Sequence, residues 1–393
     1  MKNGNDEKNN IYSFGYNKFG PFLFGFTSWL IECISKENYQ KVFFFSRDGF
    51  MMKKAFDILY KGDIESEYVY FSRKSIRQSL LWRINTYEES LKYLGWERYI
   101  SVGKLLEYYG FCYDERIEIC ESIGLDLNRD IAFDDIKSDK DMSLFFYRYI
   151  DTIHYKSRNQ SKLLLRYLYQ IGMNKKCAIV DIGWHGSMQF YLEQFLDDNL
   201  VDAELDGYYV GVLPNVPLRY KARGFVYDSE NDKARKKTLC FFGGFERLFQ
   251  SFEGSTDGYI EDDKGYIEPL FAKYEYSNSE DNILIDRIKN WQQGALDFIL
   301  QTSNTQNVLI HEQLIKPLIH FGMFPTLEDT KVFSGFYTYD GSRRYLICNK
   351  RLCDYKVKEF IHDLSNSQWK TGFLKSAFKI PFPYYLIYEV IRK

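Results

Sequence analysis

Cys177-Ala178-Ile179-Val180-Asp181-Ile182-Gly183-Trp184-His185-Gly186-Ser187-Met188-Gln189 changes its hydrophobic period partway along. Ala178 to Val180 is short, apolar and partly β-branched, the composition of a buried parallel strand. From Met188 to Leu196 the apolar residues fall mostly at helical spacing. The switch lies at Gly183 and Gly186, which let the backbone turn and approach a ligand closely. The free amides of a helix start point into such a turn, and Ser187 adds a hydroxyl, so the segment predicts a strand opening onto an anion-binding helix N-terminus. Asp181, at the carboxyl end of that strand, is a candidate ligand for a magnesium ion or for sugar hydroxyls, the alternative being a helix cap beside glycines that only turn the chain.

A second segment repeats the pattern. Lys41-Val42-Phe43-Phe44-Phe45 reads as an apolar strand, Ser46-Arg47-Asp48-Gly49 ends it, and Phe50, Met51, Ala55, Phe56, Ile58 and Leu59 form one helical face. Arg47 supplies a planar, permanently charged fork suited to phosphate or carboxylate. A guanidinium on one strand-end loop and a phosphate-cradling turn on another suit a diphosphorylated sugar. Tyr68 to Phe71 gives a third strand-like run, expected beside the strand at Lys41, and Arg73, Lys74 and Arg77 after it form either a cationic patch over the same edge or a solvated helix start.

Composition narrows the classes. The 393 residues carry a net charge of −2 with charges interleaved, which excludes bulk attraction to nucleic acid. The 7 cysteines are scattered without a Cys-x-x-Cys pair and read as the reduced thiols of a cytoplasmic protein. The 5 histidines lack zinc-site spacing. Met1 to Asn10 has no apolar export stretch and is expected to be a frayed tail. The run Gly20 to Ile31 is shorter than the roughly 20 residues that cross a bilayer, so a buried helix starting near Pro21 is expected.

Strands and helices alternate across the core, which predicts an α/β fold: a Rossmann-like, largely parallel sheet over residues 1–260, with a helical insertion at about 87–171. Leu91 to Tyr109 and Leu163 to Leu168 carry the amphipathic patterns of that insertion, and Asp206 to Val212 reads as the next core strand. Residues 261–393 read as a helical C-terminal region packed on the core, with a helical pair from Asn282 to Ile319. Asp139-Lys140-Asp141 follows no strand and fits a metal-binding Asp-x-Asp poorly. Glu246 to Tyr259 concentrates carboxylates, hydroxyls and glycines in what reads as a loop, where Glu246 or Glu253 is a candidate base. The last segment, Lys370 to Lys393, sets five cations against one glutamate among Phe, Tyr and Ile, a mix that suits either an anionic membrane surface or docking on the core.

Gly20-Pro21 with Phe24-Gly25-Phe26, Phe45-Ser46-Arg47-Asp48-Gly49, Ser72-Arg73, Val180 to Gln189 and the Glu246 to Tyr259 segment together resemble the C-terminal part of bacterial polysaccharide-assembly proteins, often labelled haloacid-dehalogenase-type hydrolases. Members of that family are similar to glycan phosphoribosyltransferases. The resemblance spans roughly Tyr16 to Tyr259 and implies a cytoplasmic enzyme, either free or peripheral at the inner face of the cell membrane, that moves ribose 5-phosphate from phosphoribosyl diphosphate to a glycan or lipid-linked glycan acceptor of a surface polysaccharide. It implies Mg²⁺, held by Asp181; Asp48, Asp181 and Glu253 as catalytic carboxylates; and Ser46, Arg47, Gly49, Arg73, Gly183, Trp184, His185, Gly186 and Ser187 as the substrate contacts. The strand-end Asp-x-Asp-x-Thr/Val nucleophile of the family's phosphatase part is missing from this sequence, where Asp48 and Asp181 are followed by glycine and by Ile-Gly, so a separate phosphatase is an expected partner. Alternatives are a haloacid-dehalogenase-like phosphohydrolase, a nucleotide-sugar glycosyltransferase, and a non-catalytic partner in glycan assembly.

Overall fold

The computed structural model describes residues 2–95, 99–304, 310–340 and 342–391. Its strands are β1 (Lys41–Phe45), β2 (Glu65–Val69), β3 (Tyr99–Ser101), β4 (Asp130–Ala132), β5 (Cys177–Trp184), β6 (Leu205–Val212), β7 (Ala222–Tyr227), β8 (Thr256–Glu261), β9 (Ile267–Phe271), β10 (Tyr337–Asp340) and β11 (Ser342–Tyr345). Five of them form a parallel sheet in the order β2-β1-β5-β6-β7. The chain therefore adds β2 on one side of β1 and then crosses to the other side for β5, β6 and β7. The point where the winding reverses lies between β1 and β5, where the carboxyl ends of neighbouring strands leave a crevice.

Strand alternation sorts the apolar side chains into two layers. Val42 and Phe44 of β1, with Ala178, Val180 and Ile182 of β5, join a core that includes the helices Gly20–Ile34, Gly49–Leu59, Phe242–Phe249 and Asn282–Ser303. Phe43 and Phe45, with Cys177 and Ile179, face the other way, against Leu164, Tyr167 and Leu168 of the helix Lys140–Ile171 and Leu192 and Phe195 of the helix Ser187–Asp198. Covered on both faces, β6 buries all eight residues, as a central parallel strand requires. A third core, from Leu81 to Ile153, belongs to the helical insertion and packs on the N-terminal half of the helix Lys140–Ile171.

The mixed α/β class, the parallel sheet and the helical C-terminal region agree with expectation, and a strand pairs with β1 as expected, although it covers Glu65–Val69 rather than Tyr68 to Phe71. So does the buried helix Gly20–Ile34, with proline in its first turn. Among the described residues no helix is long and apolar enough to cross a membrane. Several expectations need correction. The first residues form the helix Lys2–Phe14 rather than a frayed tail, because Ile11 and Phe14 enter the core. The amphipathic run from Leu91 to Tyr109 is broken, since Ser101 caps a new helix, Val102–Tyr108, immediately after β3. The Glu246 to Tyr259 segment is not one loop: Glu246 lies on the helix Phe242–Phe249, and β8 starts at Thr256. Asp139 caps the helix Lys140–Ile171 by accepting from the Met142 amide.

The C-terminal segment docks and also leaves apolar surface. Trp369, Phe373, Tyr385 and Tyr388 are buried, while Ile380, Phe382, Leu386 and Val390 are exposed. Arg392 and Lys393 lie outside the described residues.

Candidate active site at the sheet's reversal point

The strand that carries Asp181 is longer than its apolar run suggests. β5 continues to Trp184 by pairing with β6, Gly183 opposite Gly211 and Trp184 opposite Val212. A side chain at Gly183 would meet the Gly211 carbonyl oxygen at 2.6 Å, so this glycine serves close strand packing as well as the turn. The register with β1 ends earlier, at Phe44 opposite Val180. Asp181 thus lies just past the last β1 pairing, beside the loop Ser46 to Gly49 that leaves β1.

This offset brings three carboxylates together. Burial raises Asp48 well above the ordinary carboxylate range, Asp181 and Glu246 raise it further by their charge, and Arg47 and Arg247 only partly oppose them. Asp181 rises to about 7, mainly through burial and with a contribution from Glu246, against the Ile182 amide and the charge of Arg73. Two desolvated carboxyls this strongly linked cannot both ionise near neutral pH without a cation. Glu246, which sequence reasoning offered as a possible base, accepts from the Trp184 indole at 3.4 Å. Trp184 has φ +73°, an unfavourable backbone region for a bulky residue, and such outliers concentrate at functional sites.

The turn that follows matches the predicted strand-to-helix switch. Gly186 has φ +70° and directly precedes the helix Ser187–Asp198. His185 meets solvent; partial loss of water, Arg235 and Arg73 together hold its pKa below the ordinary value, so the imidazole is neutral at pH 7.

Among the described residues Arg73 and Arg235, the two cations that face His185, have no hydrogen-bond or ion-pair partner, while the others named here are committed. Arg73, exposed at the first position of the helix Arg73–Gln78, has no hydrogen-bond or ion-pair partner among the described residues. Lys74 is paired with Glu107 and Asp257, and Arg77 stacks on Tyr191 at 4.7 Å. Arg47 forms a two-pronged pair with Glu275, which Arg247 also contacts. Neither Arg247 nor Glu275 was singled out from sequence; Arg247 at least lies in a segment that was.

Other predicted residues have structural partners. Ser46 exchanges hydrogen bonds with the Phe71 backbone, both at 3.2 Å, and ties the ends of β1 and β2. Gly49 packs on the Phe44 backbone, where a Cβ would come within 2.9 Å. Glu253 accepts from the Tyr68 hydroxyl at 2.5 Å.

A divalent cation suits this donor set on chemical grounds. Among the described residues no three His, Cys, Asp or Glu side chains converge on one ion. Mg²⁺, however, needs only one or two carboxylates when water and substrate phosphates complete its shell, and Asp48 and Asp181 are two whose protons a cation would displace. No family model matches the chain, and no curated protein matches it.

Proposed function

We propose that the protein is a glycosyltransferase that moves ribose 5-phosphate from phosphoribosyl diphosphate to a glycan acceptor in the assembly of a bacterial surface polysaccharide. The observation that carries this reading is the meeting of Asp48, Asp181 and the unpartnered Arg73 with the Gly183 to Ser187 turn at the sheet's reversal point. Carboxylates for a metal and for ribose hydroxyls, a free guanidinium for diphosphate, and helix amides for a 5-phosphate are what such a donor requires.

The acceptor oxygen attacks C1 of the ribose, the bond from C1 to the diphosphate oxygen breaks, and the acceptor proton passes to a carboxylate. Asp48 is best suited to that proton because burial and the charges of Asp181 and Glu246 raise its affinity for a proton well above that of an ordinary carboxylate. Arg73 offsets charge developing on the leaving diphosphate. Mg²⁺, held by Asp181, would neutralise the diphosphate and favour its departure. Arg47, closed onto Glu275, positions the Asp48 loop in this scheme. Removal of the 5-phosphate falls to a separate phosphatase.

Thermal stabilisation tests the donor, since a ligand bound only by the folded state stabilises it by RT ln(1 + [L]/Kd), about 2.7 kcal/mol at one hundred times Kd. Phosphoribosyl diphosphate with Mg²⁺ raises Tm in the wild type and not in Arg73→Ala. A shift with uridine diphosphate sugars instead identifies a nucleotide-sugar transferase, and phosphate release from an aryl phosphate identifies a phosphohydrolase.

A position at the inner membrane face belongs to the same reading, because a lipid-linked acceptor is held there. Exposed Ile380, Phe382, Leu386 and Val390, with Lys375 and Lys379 nearby in sequence, provide apolar and cationic contact. The protein is expected to co-sediment with phosphatidylglycerol vesicles, less with phosphatidylcholine vesicles, and with neither after Leu386→Glu and Val390→Glu are combined.

A further inference from the structure

A cleft of about 570 Å³ lies between the helical insertion and the β8–β9 hairpin, and none of Asp48, Asp181 or Glu246 lines it. Tyr113, Tyr155, Asn159, Lys74, Asp257 and Leu270 are among its walls. It shares one element with the candidate active site: the helix Arg73–Gln78, which carries Arg73 into that site and Lys74 into this cleft.

Each cation that lines the cleft has a carboxylate partner, Glu107 and Asp257 on the wall itself and Glu115 just outside the lining. Lys74 is paired with Glu107 and Asp257, Arg116 with Glu107, and Lys156 with Glu115. An ionic ligand would have to break these pairs, so the cleft favours an uncharged one. Its remaining surface is of two kinds. Tyr113 and Tyr155 are 61% and 68% exposed, an unusual degree for tyrosines, and Leu270 is 40% exposed. Beside them stand the Asn159 amide, which can donate and accept, and the carboxylates of Glu107 and Asp257, which can accept further hydrogen bonds. Apolar rings next to fixed polar groups, with every cation paired, match a sugar, which offers C–H faces for stacking and hydroxyls at its rim.

We infer that this cleft binds neutral sugar residues of the acceptor glycan and feeds the reducing or growing end past Lys74 toward Arg73 and Asp48. The inference rests on the proposed transferase reading for the identity of the ligand as an acceptor, but binding of sugar to the cleft can be measured without donor or turnover.

The test is saturation-transfer NMR on the full chain without donor, with chitotetraose, a rhamnose trisaccharide and a galactofuranose disaccharide as probes and glucose 6-phosphate as the charged comparison. At least one neutral probe is expected to bind, Tyr155→Ala and Tyr113→Ala each to weaken it roughly three- to tenfold, and Asp181→Ala to leave it unchanged. Both tyrosines are exposed, so their variants should keep the wild-type Tm, which is measured alongside. No binding by any neutral probe, binding indifferent to both tyrosine variants, or preference for glucose 6-phosphate overturns the inference. Loss of donor binding with sugar binding intact would count against the transferase and not against the cleft.

Discussion

Asp181→Asn is expected to lose transfer activity by a factor on the order of 10² to 10³ while the protein becomes more stable at alkaline pH. The two effects share one cause. Asp181 sits just past the last pairing between β1 and β5, loses much of its water, and has Glu246 nearby, so its pKa rises from 3.8 to about 7. A raised carboxyl pKa means that the folded protein holds the proton more tightly than the unfolded chain does. Its contribution to stability is complete below about pH 4 and is lost as pH rises through about 7. Asparagine has no such proton to lose. Melting curves of variant and wild type should therefore nearly coincide near pH 4 and separate by pH 8, where the variant gains on the order of 2 kcal/mol. Activity runs the other way: wild-type transfer should rise with pH through about 7 as Asp181 ionises, with a midpoint that moves down as Mg²⁺ is increased, because metal and proton compete for one carboxylate. A variant that kept more than a tenth of wild-type turnover would remove Asp181 from the reaction.

The placement of that carboxylate was partly legible. An apolar run that ends at an acidic residue and enters a glycine turn announces a strand end, and both β1 and β5 were visible for that reason. The extension of β5 past Asp181 was not, since it depends on Gly183 meeting Gly211 of a strand that lies further along the chain. β7, Ala222–Tyr227, was also missed, because Arg223 and Gly224 interrupt its apolar pattern. Arg47 shows the limit most clearly. A guanidinium in a strand-end loop invites a phosphate, yet here it meets Glu275, 228 residues away in sequence, and no local pattern reveals so distant a partner. Arg73 looked like one member of a three-cation cluster, and only the fold separates it from Lys74 and Arg77, which are engaged elsewhere.

Glu275→Ala should be the most destabilising single change in the site region, by about 3 to 5 kcal/mol, a fall in Tm of about 4 to 6 °C for a chain of this length. Glu275 lies between Arg47 and Arg247, and the three side chains are 12%, 19% and 7% exposed. Burial alone would raise the Glu275 pKa, but Arg247 and Arg47 outweigh it and hold the group at about 2. The sign is thus opposite to that of Asp181: the carboxylate stabilises the fold above about pH 4.5 and the contribution is lost as pH falls toward 2. Removing it leaves two buried guanidinium groups facing each other, and the Arg247 Nε already lacks a partner. The positions matter as much as the charges. Arg47 precedes Asp48 and Arg247 follows Glu246, so Glu275 clamps together two of the three elements that carry site carboxylates. Replacing all three by apolar residues of similar size, Arg47→Met, Glu275→Leu and Arg247→Met, removes the buried charges together and should recover most of the lost Tm. If the ion cluster positions the carboxylates, that stable variant still transfers poorly and shows a shifted pH midpoint. Full activity in it would reduce the cluster to a packing element.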